Sequence, residues 1–324
     1  MDHNNLQDFY KEKGAEGAVE IRTDLAIEAG EMLGKDRLPQ GVLLDTEDRE
    51  NTVVTRIEIR TKEASDALGK KQGRYVTVEL REGELNTLEI HREVAETVRD
   101  ELAVYLDRKR SEHGPTVMIV GLGNRYITPD ALGPKVVEKI VVTRHVRQNP
   151  ELATELDKRL GTVCAIAPGV LGITGIETGE IIQGLVEKIK PDILLAIDAL
   201  AARKTSRINT TVQIADTGIV PGSGIGNRRM ALSEETLGIP VISIGVPTVV
   251  DAMTLARDLI EEATGQELRR ELEENMGRTC GAENIVTPKN IDMAVERMAN
   301  AISNGLNMAL HRGFDFNDVS DYLI

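Results

Sequence analysis

Two stretches decide how this chain folds: Val117-Met-Ile-Val-Gly-Leu-Gly-Asn-Arg-Tyr-Ile-Thr-Pro-Asp-Ala-Leu-Gly-Pro134 and Ile193-Leu-Leu-Ala-Ile-Asp-Ala-Leu-Ala-Ala-Arg203. Each begins with a short, wholly apolar run, the pattern of a strand buried on both faces of a parallel sheet. Each then reaches the tripeptide Asp-Ala-Leu, which reads as the start of a helix. In open α/β sheets, chemistry collects beyond the carboxyl ends of such strands. Asp130 and Asp198 are therefore expected in one crevice, where two carboxylates can share a proton, bind a metal or activate water. A plainer reading applies to each alone. Asp130 follows Thr128-Pro129, a helix start in which an acid suits the first turn. Asp198 would cap a helix beginning at Ala199.

Working outward, strands are expected at 116–121, 162–167, 193–197, 210–215 and 240–245, and helices at 88–110, 130–141, 178–189, 248–263 and 290–310. This alternation predicts an α/β fold, a mostly parallel twisted sheet flanked by helices. Residues 52–60 and 74–80 alternate with period two, and Gly69-Lys-Lys-Gln-Gly73 between them reads as a turn. They predict an added small β-containing subdomain at the edge, at about 50–85. Residues 1–24 are polar, and a short helical pattern follows from Leu25.

The formal net charge of −14 argues against nucleic-acid binding. There is no apolar run long enough to span a membrane, and the N-terminus lacks a signal-peptide core. Cys164 and Cys280 share no metal-ligand spacing, which suits a reducing, cytoplasmic setting. With no Trp, three Phe and five Tyr, the core has to be aliphatic.

Nucleotide and nucleophile motifs fail at particular residues. Gly121-Leu-Gly-Asn124 would need glycine where Tyr126 stands, and Pro221-Gly-Ser-Gly-Ile-Gly-Asn227 has Asn227 in the same place. Ser223 has Pro221 where a nucleophile elbow needs glycine. The five histidines form no His-Glu-x-x-His, so no histidine-built zinc site is expected. Both glycine loops remain candidates for donating backbone N–H groups to an oxyanion: Gly121, Gly123 and Asn124, with Gly222, Ser223 and Gly224. Glu177, Asp216 and Asp251 are further candidates for the same crevice.

Gly121-Leu-Gly-Asn124, Thr128-Pro-Asp-Ala-Leu-Gly-Pro-Lys135, Pro168-Gly-Val-Leu-Gly-Ile-Thr-Gly-Ile-Glu-Thr178, Ala196-Ile-Asp-Ala-Leu-Ala-Ala-Arg203, Asp216-Thr-Gly-Ile-Val-Pro-Gly-Ser-Gly224 and Gly245-Val-Pro-Thr-Val-Val-Asp-Ala252 resemble the germination protease family of spore-forming bacteria. Val286-Thr-Pro-Lys289 and Gly305-Leu-Asn-Met-Ala-Leu-His311 extend the resemblance toward the C-terminus. It implies an endopeptidase made as a tetrameric zymogen in the forespore and spore core. The enzyme would remove its own N-terminal segment and degrade small acid-soluble spore proteins during germination. It implies Asp130 and Asp198 as an aspartic-type pair and a fold similar to hydrogenase maturation proteases; no cofactor is expected, and charge and hydropathy predict no direct contact with nucleic acid or membrane. A metal held by the same two aspartates is an open alternative, as is a processing-dependent binding protein without catalysis.

Family substrates are cut after the Glu of a Thr-Glu-Ile/Phe-Ala-Ser-Glu-like sequence. Thr23-Asp-Leu-Ala-Ile-Glu28 follows that plan, so residues 1–24 read as a propeptide and 25–324 as one peptidase domain, with Asp24–Leu25 the bond cut. Thr23 and Asp24 also suit a helix cap.

Overall fold

The computed structural model describes residues 23–33, 38–81, 83, 85–107, 114–153, 158–222, 230–265 and 284–318. Among the described residues, nine strands form one sheet: β1 (Val42–Asp48), β2 (Thr52–Ile59), β3 (Gly73–Leu80), β4 (Thr116–Gly121), β5 (Thr162–Ile166), β6 (Ile193–Ala202), β7 (Thr211–Ala215), β8 (Val241–Asp251) and β9 (Ile285–Val286). Their order is β1-β2-β3-β7-β8-β6-β4-β5, with β9 alongside β8. The longer helices among the described residues are α1 (Ala26–Leu33), α2 (Lys62–Leu68), α3 (Leu88–Leu106), α4 (Leu132–Val137), α5 (Thr178–Ile189), α6 (Ala252–Thr264) and α7 (Ile291–Leu310).

The apolar runs behave as their pattern demands. On β4 and β6, Val117, Ile119, Leu195 and Ile197 face a core shared with α3 and α7. The alternate residues Met118, Val120, Leu194 and Ala196 face the opposite layer, where α5 contributes Ile182 and Val186. Both faces are covered, so no polar residue interrupts either run.

The sheet is mixed, not mostly parallel. β5, β4, β6 and β8 are parallel neighbours, whereas β7 joins β8 antiparallel and β3, β2 and β1 continue in antiparallel pairs. The reason lies in the link between β6 and β7. Residues 203–210 are too few for a helical crossover, which takes about a dozen or more. The strands within 50–85 consequently do not stand apart as a subdomain, because Tyr75↔Ala215 and its neighbours join them to the main sheet.

A second difference concerns β6. No helix starts at Ala199; the strand runs on through Asp198 to Ala202. Ala-Leu-Ala-Ala favours helix by propensity, but β8 also continues, pairing Ala199 with Val246 and, past an irregularity after Leu200, Ala202 with Val250. Tertiary pairing overrides the local preference. β8 likewise extends to Asp251, so the helix expected from 248 begins at Ala252.

α1 is tied down by charge. Glu28, fully enclosed, accepts from the backbone N–H groups of Arg203 (2.6 Å) and Lys204 (3.0 Å) and pairs with Arg207 at 3.3 Å. Arg207, itself buried, also binds Glu31 and Glu79, each at 2.7 Å. Burial alone would raise the Glu31 carboxyl, yet Arg207 and Lys204 hold it down at about 2. Removing one partner of such a network strands the others in low dielectric. Arg207→Met is expected to lower unfolding free energy by about 3–5 kcal/mol, measurable by urea denaturation.

His311, wholly buried beyond α7, accepts from Gly161 N–H through Nδ1 (3.1 Å) and donates from Nε2 to the Val141 carbonyl (3.2 Å). Burial pushes its pKa down to about 4, against the pull of the Val141 bond. The unfolded chain therefore binds a proton first as pH falls. The native state loses about 3 kcal/mol between pH 6.5 and 4 through this residue. Thermal melts across that range should show the loss in the natural chain and a flatter profile in His311→Gln.

Candidate active site

The Gly121-Leu-Gly-Asn124 loop leaves the end of β4 under tight steric control. Gly123 has φ +108°, and a Cβ there would lie 2.0 Å from the Asp130 carbonyl. A Cβ on Gly133 would lie 2.3 Å from the Leu122 carbonyl and 2.6 Å from that of Ile197. Only glycine permits this approach, which presses the start of α4 onto β4 and β6. Asp130 ends the short 3₁₀ turn Thr128–Asp130 just before α4. Its Oδ2 accepts the Asn124 N–H at 2.8 Å.

Asp198 lies on the neighbouring strand, one residue past the Gly121↔Ile197 pair. It is 4% exposed, and its Oδ1 accepts the Ala199 N–H at 2.9 Å. Its pKa is pushed well above the usual carboxylate value, first by burial and then by the charge of Asp130, with a further contribution from Asp24. The N–H groups of Ala199 and Gly222 oppose the rise. Two carboxyls so placed cannot both ionise at ordinary cost, which favours the protonated form of Asp198.

Asp24 and Leu25 are held against β6 farther along the same strand. Asp24 N–H donates to the Ala201 carbonyl (3.0 Å), and the Ala201 N–H donates back to Asp24 Oδ2 (2.8 Å). Along a parallel strand, alternate residues bond the same neighbour. Ile197 bonds Leu122 at the end of β4, so Asp24 at Ala201 occupies the continuation of the β4 lane. Leu25 is 0% exposed and packs on Leu200, Ala202, Ile208 and Val250. Leu200 and Ala202 share a face of β6 with Asp198.

The other sequence candidates divide. Gly222 lies at the site, as do Gly121, Gly123 and Asn124, whereas Ser223 and Gly224 fall outside the described residues. Asn124 and Gly222 spend backbone donors on the two aspartates themselves. Glu177 precedes α5 and has a buried Oε2 without a hydrogen-bond partner among the described residues. Asp216 accepts the Arg74 N–H at 2.7 Å and joins β7 to β3, away from the pair. Asp251 caps α6 by accepting from Thr254 N–H and Oγ1. It sits about 20 Å of strand beyond Gly245, the residue that pairs with Asp198, so it does not line the crevice. Among the described residues, no three His, Cys, Asp or Glu side chains converge as a metal set.

Sequence reasoning missed Lys70 and Gln213. Lys70 lay in a stretch read only as a turn, and Gln213 is the polar member of the otherwise apolar Val212-Gln-Ile-Ala215. That interruption of a buried strand was the available signal. With Asp24 they wall a cavity of about 290 Å³ that reaches Ser243 and Gly245.

A family model described as germination protease matches residues 18–275 and 262–323. A germination protease of Clostridium acetobutylicum is 40% identical over 325 residues, covering 94% of this chain and 99% of its own. One from Caldanaerobacter subterraneus is 42% identical over 323 residues (94% and 98%), and one from Bacillus cereus is 40% identical over 358 residues (93% and 96%). Matches of this length and identity, spanning the strands and loops that carry Asp130 and Asp198, show that the chain belongs to the germination protease family and is a peptidase.

Proposed function

We propose that this chain is an aspartic-type endopeptidase zymogen that cuts itself between Asp24 and Leu25 and then degrades small acid-soluble spore proteins during germination, in the spore core. The observation that carries this reading is the buried Asp198 carboxyl, its ionisation disfavoured by burial and by Asp130, with the chain's own acid–apolar pair held three residues farther along the same strand. In the reaction, Asp130 accepts a proton from water as its oxygen bonds to the scissile carbonyl carbon. The C–N bond then breaks, and Asp198 delivers its proton to the leaving nitrogen. Asn124 and Gly222 orient the carboxylates. No resident cofactor enters these steps, and elemental analysis of the purified protein would reveal a metal acting through the same aspartates.

Asp130→Asn and Asp198→Asn are each expected to lower cleavage of a Thr-Glu-Ile-Ala-Ser-Glu peptide by about a hundredfold or more, with the thermal unfolding transition retained. Near-normal turnover in either folded variant would remove that residue from the chemistry. The pH dependence has a definite sign. The folded pKa of Asp198 is raised, so the required proton is present in acid and is lost as pH rises through that value. The rate should fall on the alkaline side, and Asp198→Asn should abolish that limb.

The tetramer expected for the family finds support in the edge strand β1, where Leu43 and Leu44 are 48% and 52% exposed. Unpaired edges carrying apolar side chains favour association. Light scattering at micromolar concentration should give four times the chain mass; a monomer would refute this assembly.

A further inference from the structure

The bond between Asp24 and Leu25 is held on every polar atom that a peptide presents. The Asp24 carbonyl accepts from Lys70 Nζ at 3.0 Å and from Gln213 Nε2 at 3.2 Å. Lys70 Nζ also reaches the Thr23 carbonyl at 3.0 Å. The Leu25 N–H donates to Thr23 Oγ1 at 3.1 Å, and the Ala26 N–H to Gln213 Oε1 at 2.7 Å. Asp24 itself exchanges two hydrogen bonds with Ala201. A turn lysine, a buried strand glutamine and a strand edge thus converge on one residue.

Helix capping does not require this. An N-terminal cap is satisfied by a side chain of the cap itself, whereas here the donors come from the turn before β3 and from β7. Lys70 is half-buried, and an ammonium taken from water needs negative charge or strong acceptors nearby. It finds two carbonyls and the attraction of the Asp24 and Glu28 carboxylates, which counters the downward push of burial on its pKa.

Ala201 lies three residues beyond Asp198, about 10 Å along the strand. The cavity spans that interval, with walls running from Asp24 and Lys70 past Leu200 and Gln213 to Gly245, the strand partner of Asp198. Lys71 lines it next to Lys70, and the polar groups farther along include the neutral Ser233 and Ser243. A cationic head at one end and neutral hydroxyls elsewhere suit an acidic residue of an extended peptide.

We propose that Lys70, with Gln213, is the specificity-determining contact for the acidic residue on the acyl side of the bond to be cut, and that Asp24 is the built-in occupant of this subsite. The proposal rests on the proteolytic reading above and adds how the acidic residue is recognised. Lys70 and Gln213 bind the backbone carbonyl, the Ala201 backbone aligns the segment in the β4 lane, and the Lys70 charge selects the acid. Lys70 and Gln213 act as positioning residues for the aspartate pair.

The test follows self-cleavage of the full chain by intact mass, in mild acid, for the natural protein and for Lys70→Met, Lys70→Arg, Asp24→Asn and the Asp24→Asn/Lys70→Met double variant. Asp24→Asn keeps an oxygen for the Ala201 N–H and so reports charge alone. Each of Lys70→Met and Asp24→Asn should slow processing about tenfold or more. The double variant should fall no more than about threefold below the slower single variant, because both remove one coupled interaction. Lys70→Arg should remain within about fivefold of the natural rate, since the charge and donors persist. Multiplying single effects, or a Lys70→Met chain that cuts as fast as or faster than the natural one, would overturn the proposal. A second arm uses hydrogen exchange in an Asp198→Asn background, where cleavage is expected to be slowed about a hundredfold or more. There Lys70→Met should speed exchange at the Asp24 and Ala26 amides by about tenfold or more while Ile197 stays unchanged. Unchanged exchange at Asp24 would equally refute the hold. Should the natural chain never cut itself, the self-processing reading falls, and the exchange arm still decides whether Lys70 grips the segment.

Discussion

A carboxyl group enclosed on the face of a central strand, with a second carboxylate beside it, is the constraint around which this molecule is arranged. Burial and the Asp130 charge both disfavour ionisation of Asp198, and the surroundings have to sustain that situation. They do so by rigidity. β6 lies between β4 and β8, where its pairing is fixed on both sides, and apolar layers cover both faces of the run that leads to Asp198. A strand with an open edge could relax away from the like charge. This one is held, so the conflict falls on the protonation equilibrium of Asp198, raising its pKa, instead of on its position.

The partner carboxylate is placed by contacts that tolerate no side chain. Gly121, Gly123 and Gly133 allow the loop after β4 and the first turn of α4 to meet backbone against backbone. The Asn124 N–H then fixes the Asp130 carboxylate from within the same loop. The donor groups near the pair are largely consumed in orienting the acids. Charge supplied from farther off, at Lys70, meets the carbonyl of Asp24.

Much of this was legible in the sequence because it depends on local pattern. The doubly buried runs before Asp130 and Asp198 predict adjacent parallel strands, and the register Gly121↔Ile197 bears that out. What was not legible depends on pairing across long separations. Nothing between 198 and 202 announces a strand, since Ala-Leu-Ala-Ala suits a helix equally well, and the continuation of β8 settles the matter. The antiparallel half of the sheet was hidden for a related reason. Period-two alternation at 52–60 and 74–80 shows strands but not their neighbours, and joining them through β7 is a tertiary fact. Asp251 and Asp216 looked like crevice residues because they end strands, yet one caps a helix and the other anchors a backbone N–H. Position at a strand end is common to caps, anchors and catalytic acids alike, so sequence alone could not separate them.

The N-terminal segment couples these features. α1 is locked to the sheet by Glu28, Glu31 and Arg207, and Thr23–Leu25 pass from that anchor into the lane beside Asp198. The two parts are mechanically distinct. The anchor is a buried ion network whose disruption strands charge, whereas the bond itself is held by hydrogen bonds to one ammonium, one amide and one strand residue. Loss of residues before Leu25 would leave the anchor intact and remove Asp24 from Lys70, Gln213 and Ala201. The groups that had been satisfied by the chain itself would then face the cavity that leads to the aspartates. An unsatisfied ammonium and an unpaired strand residue are costly in a half-buried setting. The same physical demand accounts for the seating of Asp24 against Lys70, Gln213 and Ala201.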